Sequence, residues 1–197
     1  LSIDGPEFVN DKHRKFTNSE GSFKYVTKNL DYLLGLIPNL VGRMSVTPDT
    51  VEFMFESIKY LVEKLGFYEI ACTPVSDSYK EWDENSLKIY AEQLSCLEKW
   101  FCERIDKGLV NPICDVYIKR FVKYLLSNFE PDYPCQGGRK HFGVSVDGGV
   151  YPCHRFLFDE FKLGTVYEYT LDQEKLRMFQ EFSKKKVEEC SKCSCKT

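Results

Sequence analysis

The chain has 197 residues, of which 43% are hydrophobic and 29% charged, with a net charge of −3 and a pI near 5.7. Such a composition fits one generous globular domain or two small ones, and the acidic balance argues against polyanion binding, which needs a basic field. No apolar run reaches spanning length and no signal peptide precedes the fold, so a cytoplasmic protein without membrane or nucleic-acid partners is expected.

Leu1-Ser2-Ile3-Asp4-Gly5-Pro6 reads as a strand end running into a turn, and Asp11-Lys12-His13-Arg14-Lys15 as a polar connection. Gly21-Ser22 opens a helix with Phe23, Val26, Leu30, Leu33 and Leu34 at helical spacing, ended by Pro38-Asn39. Leu40 to Val46 reads as a strand, and Thr47-Pro48-Asp49 opens a helix burying Val51, Met54, Phe55, Ile58, Leu61, Val62 and Leu65, with Gly66 as its stop. Phe67 to Val75 is a β-branched and aromatic strand. Alternating strands and helices of these lengths predict parallel strands with crossover helices, an α/β arrangement with half a barrel or open sheet present.

From Asp83 to about Lys107 a long helix carries Leu87, Tyr90, Ala91, Leu94, Leu97, Phe101 and Ile105, and a second is expected from about Cys114 to Ser127. Cys72, Cys96, Cys102 and Cys114 fall singly in these apolar segments and are expected to be buried reduced thiols. Pro131-Asp132-Tyr133-Pro134 marks a boundary. Beyond it Phe142, Val144 and Val146 alternate, Asp147-Gly148-Gly149 signals a hairpin, and Val150-Tyr151 begins the return strand. Leu163-Gly164-Thr165-Val166 is a further turn into a short element, and Leu171 to about Lys185 is helical.

The most specific signal is Cys135-x12-Gly148-x4-Cys153 followed by Cys190-x2-Cys193. Turns of this kind aim sulfurs and backbone N–H groups at one point, and spacing alone leaves a four-thiolate zinc site and an iron–sulfur cluster equally open. A redox dithiol is the weaker option, because Cys190-Ser191-Lys192-Cys193 follows no strand of a thioredoxin-like unit.

This cysteine pattern resembles the opening of a SPASM domain, the auxiliary iron–sulfur domain of many radical S-adenosylmethionine (SAM) enzymes. Cys135, Gly148, Cys153, Cys190 and Cys193 match its first five marked positions, while Cys195 is off the pattern. Leu1 to Pro6 with Asp11 to Arg14 is similar to the fourth barrel strand and following loop of peptide-modifying members. The resemblance implies the C-terminal half of a partial (β/α)6 barrel over residues 1–82, a helical connection over 83–130, and the N-terminal part of a SPASM domain over 131–197. Residue Leu1 is no initiating Met, and the next cysteine of the pattern would fall past Thr197, so a piece of a longer enzyme is expected. The barrel's Cys-x3-Cys-x2-Cys signature is absent from these residues, so this piece alone is expected to be inactive.

By resemblance, Cys135 and Cys153 would hold one auxiliary [4Fe–4S] cluster, and Cys190 and Cys193 a second, each with further ligands. Ser2 and Asp4 would contact SAM, with Arg14 and Arg43 as carboxylate clamps. The plainer alternative for either Arg is a surface or strand-edge ion pair. His154 stands where sulfatase-maturating members carry an Asp proposed as base. Imidazole can serve in that role, or simply orient a metal ligand by a hydrogen bond. His13 and His141 are expected to be solvated or packed. The implied function is post-translational modification of a peptide or protein, by thioether-type cross-linking or side-chain oxidation, with a flavodoxin or ferredoxin as electron donor. The alternative is a non-catalytic zinc- or cluster-stabilised module that recognises a peptide leader or partner protein.

Overall fold

The computed structural model describes residues 1–75, 81–109, 113–114, 136–168, 170–181, 188 and 192. The chain forms two compact units, Leu1–Leu126 and Ser127–Thr197.

In the first unit, β1 (Val41–Val46) pairs in parallel with β2 (Glu69–Pro74), and β2 pairs in parallel with β3 (Ile113–Cys114). Leu1 to Ile3 runs beside the free edge of β1: Ile3 N–H donates to Arg43 O at 2.9 Å and Arg43 N–H to Leu1 O at 2.7 Å. Parallel neighbours need crossover connections. The first holds a 3-10 turn (Val51–Phe53) and helix α4 (Met54–Glu63), following the short helices α1 (Glu7–His13), α2 (Phe23–Thr27) and α3 (Leu30–Leu36). The second holds α5 (Glu84–Asp106).

Burial follows from the two periods. Gly42, Met44 and Val46 of β1 alternate inward, as do Ile70 and Cys72 of β2. Met54, Ile58 and Leu61 put one stripe of α4 into the core with Leu97, Trp100 and Phe101 of α5. The two helices are locked by polar contacts as well. Gln93 Oε1 accepts the Phe55 N–H at 2.9 Å, Trp100 Nε1 donates to Glu63 Oε1 at 3.2 Å, and Arg104 Nη1 lies 3.8 Å from Glu63 Oε1. A capping box between Asp83 and Ser86 starts α5.

Four expectations are corrected. The polar connection at residues 11–15 is largely helix, because Pro6 and Glu7 suit a helix start and Val9 and Asn10 are buried. The single helix expected from Gly21 is two, α2 and α3: the Thr27 hydroxyl donates to Phe23 O at 2.8 Å and Asn29 leaves helical geometry with ψ +21°. Cys114 belongs to β3 rather than to a helix, and residues 115–127 lie outside the described residues. Of the four thiols expected to be buried, Cys72 is, whereas Cys96 and Cys102 are exposed on α5 and the Cys114 side chain is not described. Leu87 and Ile105 of the same helix are also exposed, because only one side of α5 packs on the core.

In the second unit, β4 (Gly143–Val144) pairs antiparallel with β5 (Gly149–Tyr151), and β6 (Gly164–Thr165) pairs antiparallel with the other edge of β5. The hairpin closes through Gly148, whose φ of +84° favours glycine, and its N–H donates to Ser145 O at 2.9 Å. Helix α6 (Gln173–Gln180) is capped by Asp172, which accepts from Glu174 N–H at 3.1 Å and Lys175 N–H at 3.0 Å. The expected continuation of this helix toward Lys185 lies outside the described residues. Tyr151, Leu163 and Leu176 are buried, and Phe156, Phe161 and Phe179 meet edge to face at 5.0–5.8 Å. The alternating Phe142, Val144 and Val146 mark the strand but bury little; Val146 is fully exposed. Among the described residues, no helix is long and apolar enough to cross a membrane.

Candidate functional site

Each unit carries one cluster of the residues singled out by the sequence. In the second unit, β5 leads through buried Pro152 to Cys153, whose thiol is half-buried and free of any disulfide. The Phe156 N–H donates to Cys153 O at 3.0 Å and closes a turn containing His154 and Arg155. Gly143 of β4 lies against this turn so closely that a Cβ there would stand 2.8 Å from His154 N and 2.9 Å from Cys153 C. The turn is therefore held by backbone on the hairpin side. His154 is exposed, with Nδ1 3.7 Å from Cys153 Sγ.

Cys135, Cys190 and Cys193 lie outside the described residues, as does Cys195. The segment after Cys135 is nevertheless anchored near Cys153: the Gly138 N–H donates to Pro152 O at 2.7 Å, and Gln180 Nε2 of α6 donates to Gly138 O at 3.0 Å. Among the described residues, no group of three His, Cys, Asp or Glu side chains is placed to hold a metal ion. Cys153 itself fits an iron–sulfur ligand. Its unpaired thiol stands on a glycine-backed turn, and a thiolate is the donor such clusters take.

In the first unit, Ser2, Asp4, Arg14 and Arg43 gather on the sheet face opposite the helices. The bridge between Ser2 and Arg43 aligns the rows, so that Ser2, Arg43 and Ala71 lie side by side, with Ser45 and Thr73 two residues on. Asp4 is buried and fully engaged. Arg14 Nε donates to Asp4 Oδ2 at 2.6 Å, Arg14 Nη2 to Oδ1 at 2.9 Å, and the Ser45 N–H to Oδ1 at 2.8 Å. This bidentate pair satisfies a carboxylate that would be costly to bury alone. Arg43 is exposed, and its guanidinium makes no hydrogen bond or ion pair among the described residues. Ser2 is exposed beside it.

Asn10, fully buried, was not singled out by the sequence. Its Oδ1 accepts the Asp4 N–H at 3.2 Å while its Nδ2 donates to Asp11 Oδ1 and Ser22 Oγ at 2.9 and 3.2 Å. Nothing in the hydrophobic pattern marks it; a polar residue between Val9 and Asp11 looks solvent-facing until its partners are placed. Beyond the C-terminal end of β1, Asp49 meets His13 Nε2 at 3.2 Å and Lys12 Nζ at 3.4 Å, so His13 has a carboxylate partner rather than water alone. Burial pushes the Asp49 carboxyl up, but the Thr47 hydroxyl bond and the His13 and Lys12 charges outweigh it and bring the pKa down to about 2. His141 is exposed.

Comparison with known proteins adds four findings. Residues 135–194 match the SPASM family, described as an iron–sulfur cluster-binding domain. The chain is 26% identical over 181 residues to a cysteine-type anaerobic sulfatase-maturating enzyme of Clostridium novyi, covering 88% of this chain and 47% of the relative. It is also 26% identical over 188 residues to a serine-type anaerobic sulfatase-maturating enzyme of Bacteroides thetaiotaomicron, covering 87% and 45%. Among solved structures, anSMEcpe with bound AdoMet and Cp18Cys peptide shares the fold with a TM-score of 0.76 at 24% identity, covering 98% of this chain and 56% of that one. These matches bear out the resemblance read from the cysteine spacing, and the mixed α/β class with it. The chain spans about half the length of the curated relatives it matches.

Proposed function

We propose that this chain is the C-terminal half of a (β/α)6 radical-SAM barrel, whose parallel sheet continues past residue 82 through α5 to β3, followed by the opening of a SPASM domain (131–197), in a cytoplasmic enzyme that modifies a peptide or protein side chain. The observation that carries the reading is Cys153 on its glycine-backed hairpin turn within a segment matching the SPASM domain. Similarity to sulfatase-maturating relatives of both cysteine and serine types favours oxidation of a side chain over thioether cross-linking. An electron donor such as a flavodoxin or ferredoxin completes the system.

In this reading Cys135 and Cys153 ligate one auxiliary [4Fe–4S] cluster and Cys190 and Cys193 a second. Such clusters, when bound, supply one-electron redox chemistry at thiolate-held iron. The chain's own residues supply binding and order. Arg43, exposed and with no guanidinium partner among the described residues, receives the carboxylate of SAM, and Ser2 lies next to it. Asp4 holds Arg14 through Nε and Nη2, so Arg14 offers only its remaining Nη1 edge to a ligand. Asp4 thus orders the site rather than binding SAM through its own oxygens. His154 is the candidate to take a proton from the peptide.

The test is anaerobic reconstitution of the full-length protein with iron and sulfide, followed by assays with SAM and a peptide bearing cysteine or serine. The reading predicts a brown protein that changes the peptide's mass. The double variant Cys135→Ala, Cys153→Ala should retain peptide binding and lose turnover. A colourless protein with stoichiometric zinc, or turnover retained while peptide affinity is lost, would replace it with a binding module.

A further inference from the structure

We propose that His154 donates a hydrogen bond from Nδ1–H to Cys153 Sγ, raising the potential of the cluster that Cys153 ligates and leaving Nε2 as the ring's accepting nitrogen. The proposal rests on the cluster reading above and extends it to a residue beside the ligand set.

Three features of the turn support it. Nδ1 lies 3.7 Å from Sγ, within reach of an N–H···S bond, which is longer than one to oxygen. The peptide joining the two residues has little freedom. It is backed by Gly143, where even a methyl group would collide with it, and the Phe156 N–H closes the turn from the other side. The imidazole therefore does not depend on a long flexible tether to find the sulfur. Finally, Cys153 is half-buried, so its sulfur is partly shielded from water that would compete for the bond.

A thiolate bound to iron keeps lone pairs that accept such a bond. The bond strengthens as the cluster gains an electron and its sulfurs gain charge, so an N–H···S donor favours the reduced form. A donor to a charged acceptor is worth enough to shift the reduced-to-oxidised ratio about tenfold, which for a one-electron couple is about 59 mV.

The experiment is an EPR-monitored redox titration of the reconstituted full-length protein, read on the signal that disappears in Cys153→Ala. At the wild-type midpoint, His154→Phe should lower the reduced-to-oxidised ratio about tenfold. His154→Asn, which keeps an N–H donor near the position of Nδ1, should stay within about twofold of wild type. With 15N-histidine labelling, the reduced wild-type cluster should show a weakly coupled nitrogen that His154→Phe abolishes. An unchanged midpoint in His154→Phe, equal losses in both variants, or no nitrogen coupling in the wild type would each overturn the proposal. The nitrogen measurement stands even if a variant fails to hold its cluster. If instead the wild type binds no iron, it is the cluster reading that fails, and the iron content distinguishes the two.

Discussion

The parallel-sheet unit is held by a continuous apolar core running from Ile3 through β1, α4 and β2 to Phe101 of α5, whereas the described part of the hairpin unit buries little beyond Tyr151, Pro152, Leu163 and Leu176. Its strands are two or three residues long, and several large apolar side chains, among them Phe158, Tyr167 and Met178, are exposed. A unit that buries so little apolar surface gains most from a cross-link such as a disulfide or a bound metal. The cysteines of the second unit supply that staple in our account. One unit is therefore expected to tolerate loss of iron and the other to depend on it.

The largest break in this comparison should come from Cys153→Ala in the full-length protein. We expect loss of one cluster's iron and of proteolytic resistance across residues 136–181, with the sheet unit's protection unchanged. Leu61→Ala should do the reverse. Truncating this fully buried α4 residue costs about 3–4 kcal/mol, read as a lowered denaturant midpoint for the sheet unit, with iron content unaltered.

Asp4→Ala should cost about 3 kcal/mol, because it strips Arg14 of its bidentate partner and the Ser45 N–H of its acceptor. In a double-mutant cycle, Arg14→Ala in the Asp4→Ala background should add less than it does alone. Additive losses would mean the pair is not coupled. Gly148→Ala should cost about 1–2 kcal/mol in the hairpin, from a left-handed backbone and a Cβ crowding Tyr167.

The smallest expected effect is a pH slope. The folded pKa of Asp49 lies below its ordinary value, so its contribution is present at neutral pH and is lost between about pH 4 and about pH 2, as protons bind the folded form last. Asp49→Asn should flatten the unfolding free energy over that window.

How legible each unit was in the sequence follows from the same contrast. Met54, Ile58 and Leu61 declared α4 because apolar burial imposes a helical period, and β1 showed through Met44 and Val46 in the same way. Helix α1 left no such trace, since Val9 is the one apolar side chain it buries and its companion Asn10 is polar. Nor could the sequence show that Arg14 meets Asp4, a contact fixed by how α1 returns the chain to the strand end. Cys96 and Cys102 misled because α5 is long and packs along one side only. In the hairpin unit, spacing spoke where burial did not: Asp147-Gly148-Gly149 demands a turn on backbone grounds, and the cysteine intervals are set by the geometry of ligation. The alternation of Phe142, Val144 and Val146 gave the strand without the burial such patterns usually report.

The central claim, that iron–sulfur ligation orders the hairpin unit, is tested most directly by hydrogen exchange on the full-length protein before and after anaerobic reconstitution, with iron and zinc counted on the same sample. We predict that amides of residues 143–151 gain protection in proportion to bound iron while those of residues 41–46 and 69–74 stay unchanged. A hairpin equally protected in iron-free protein, or protected by stoichiometric zinc, would contradict it.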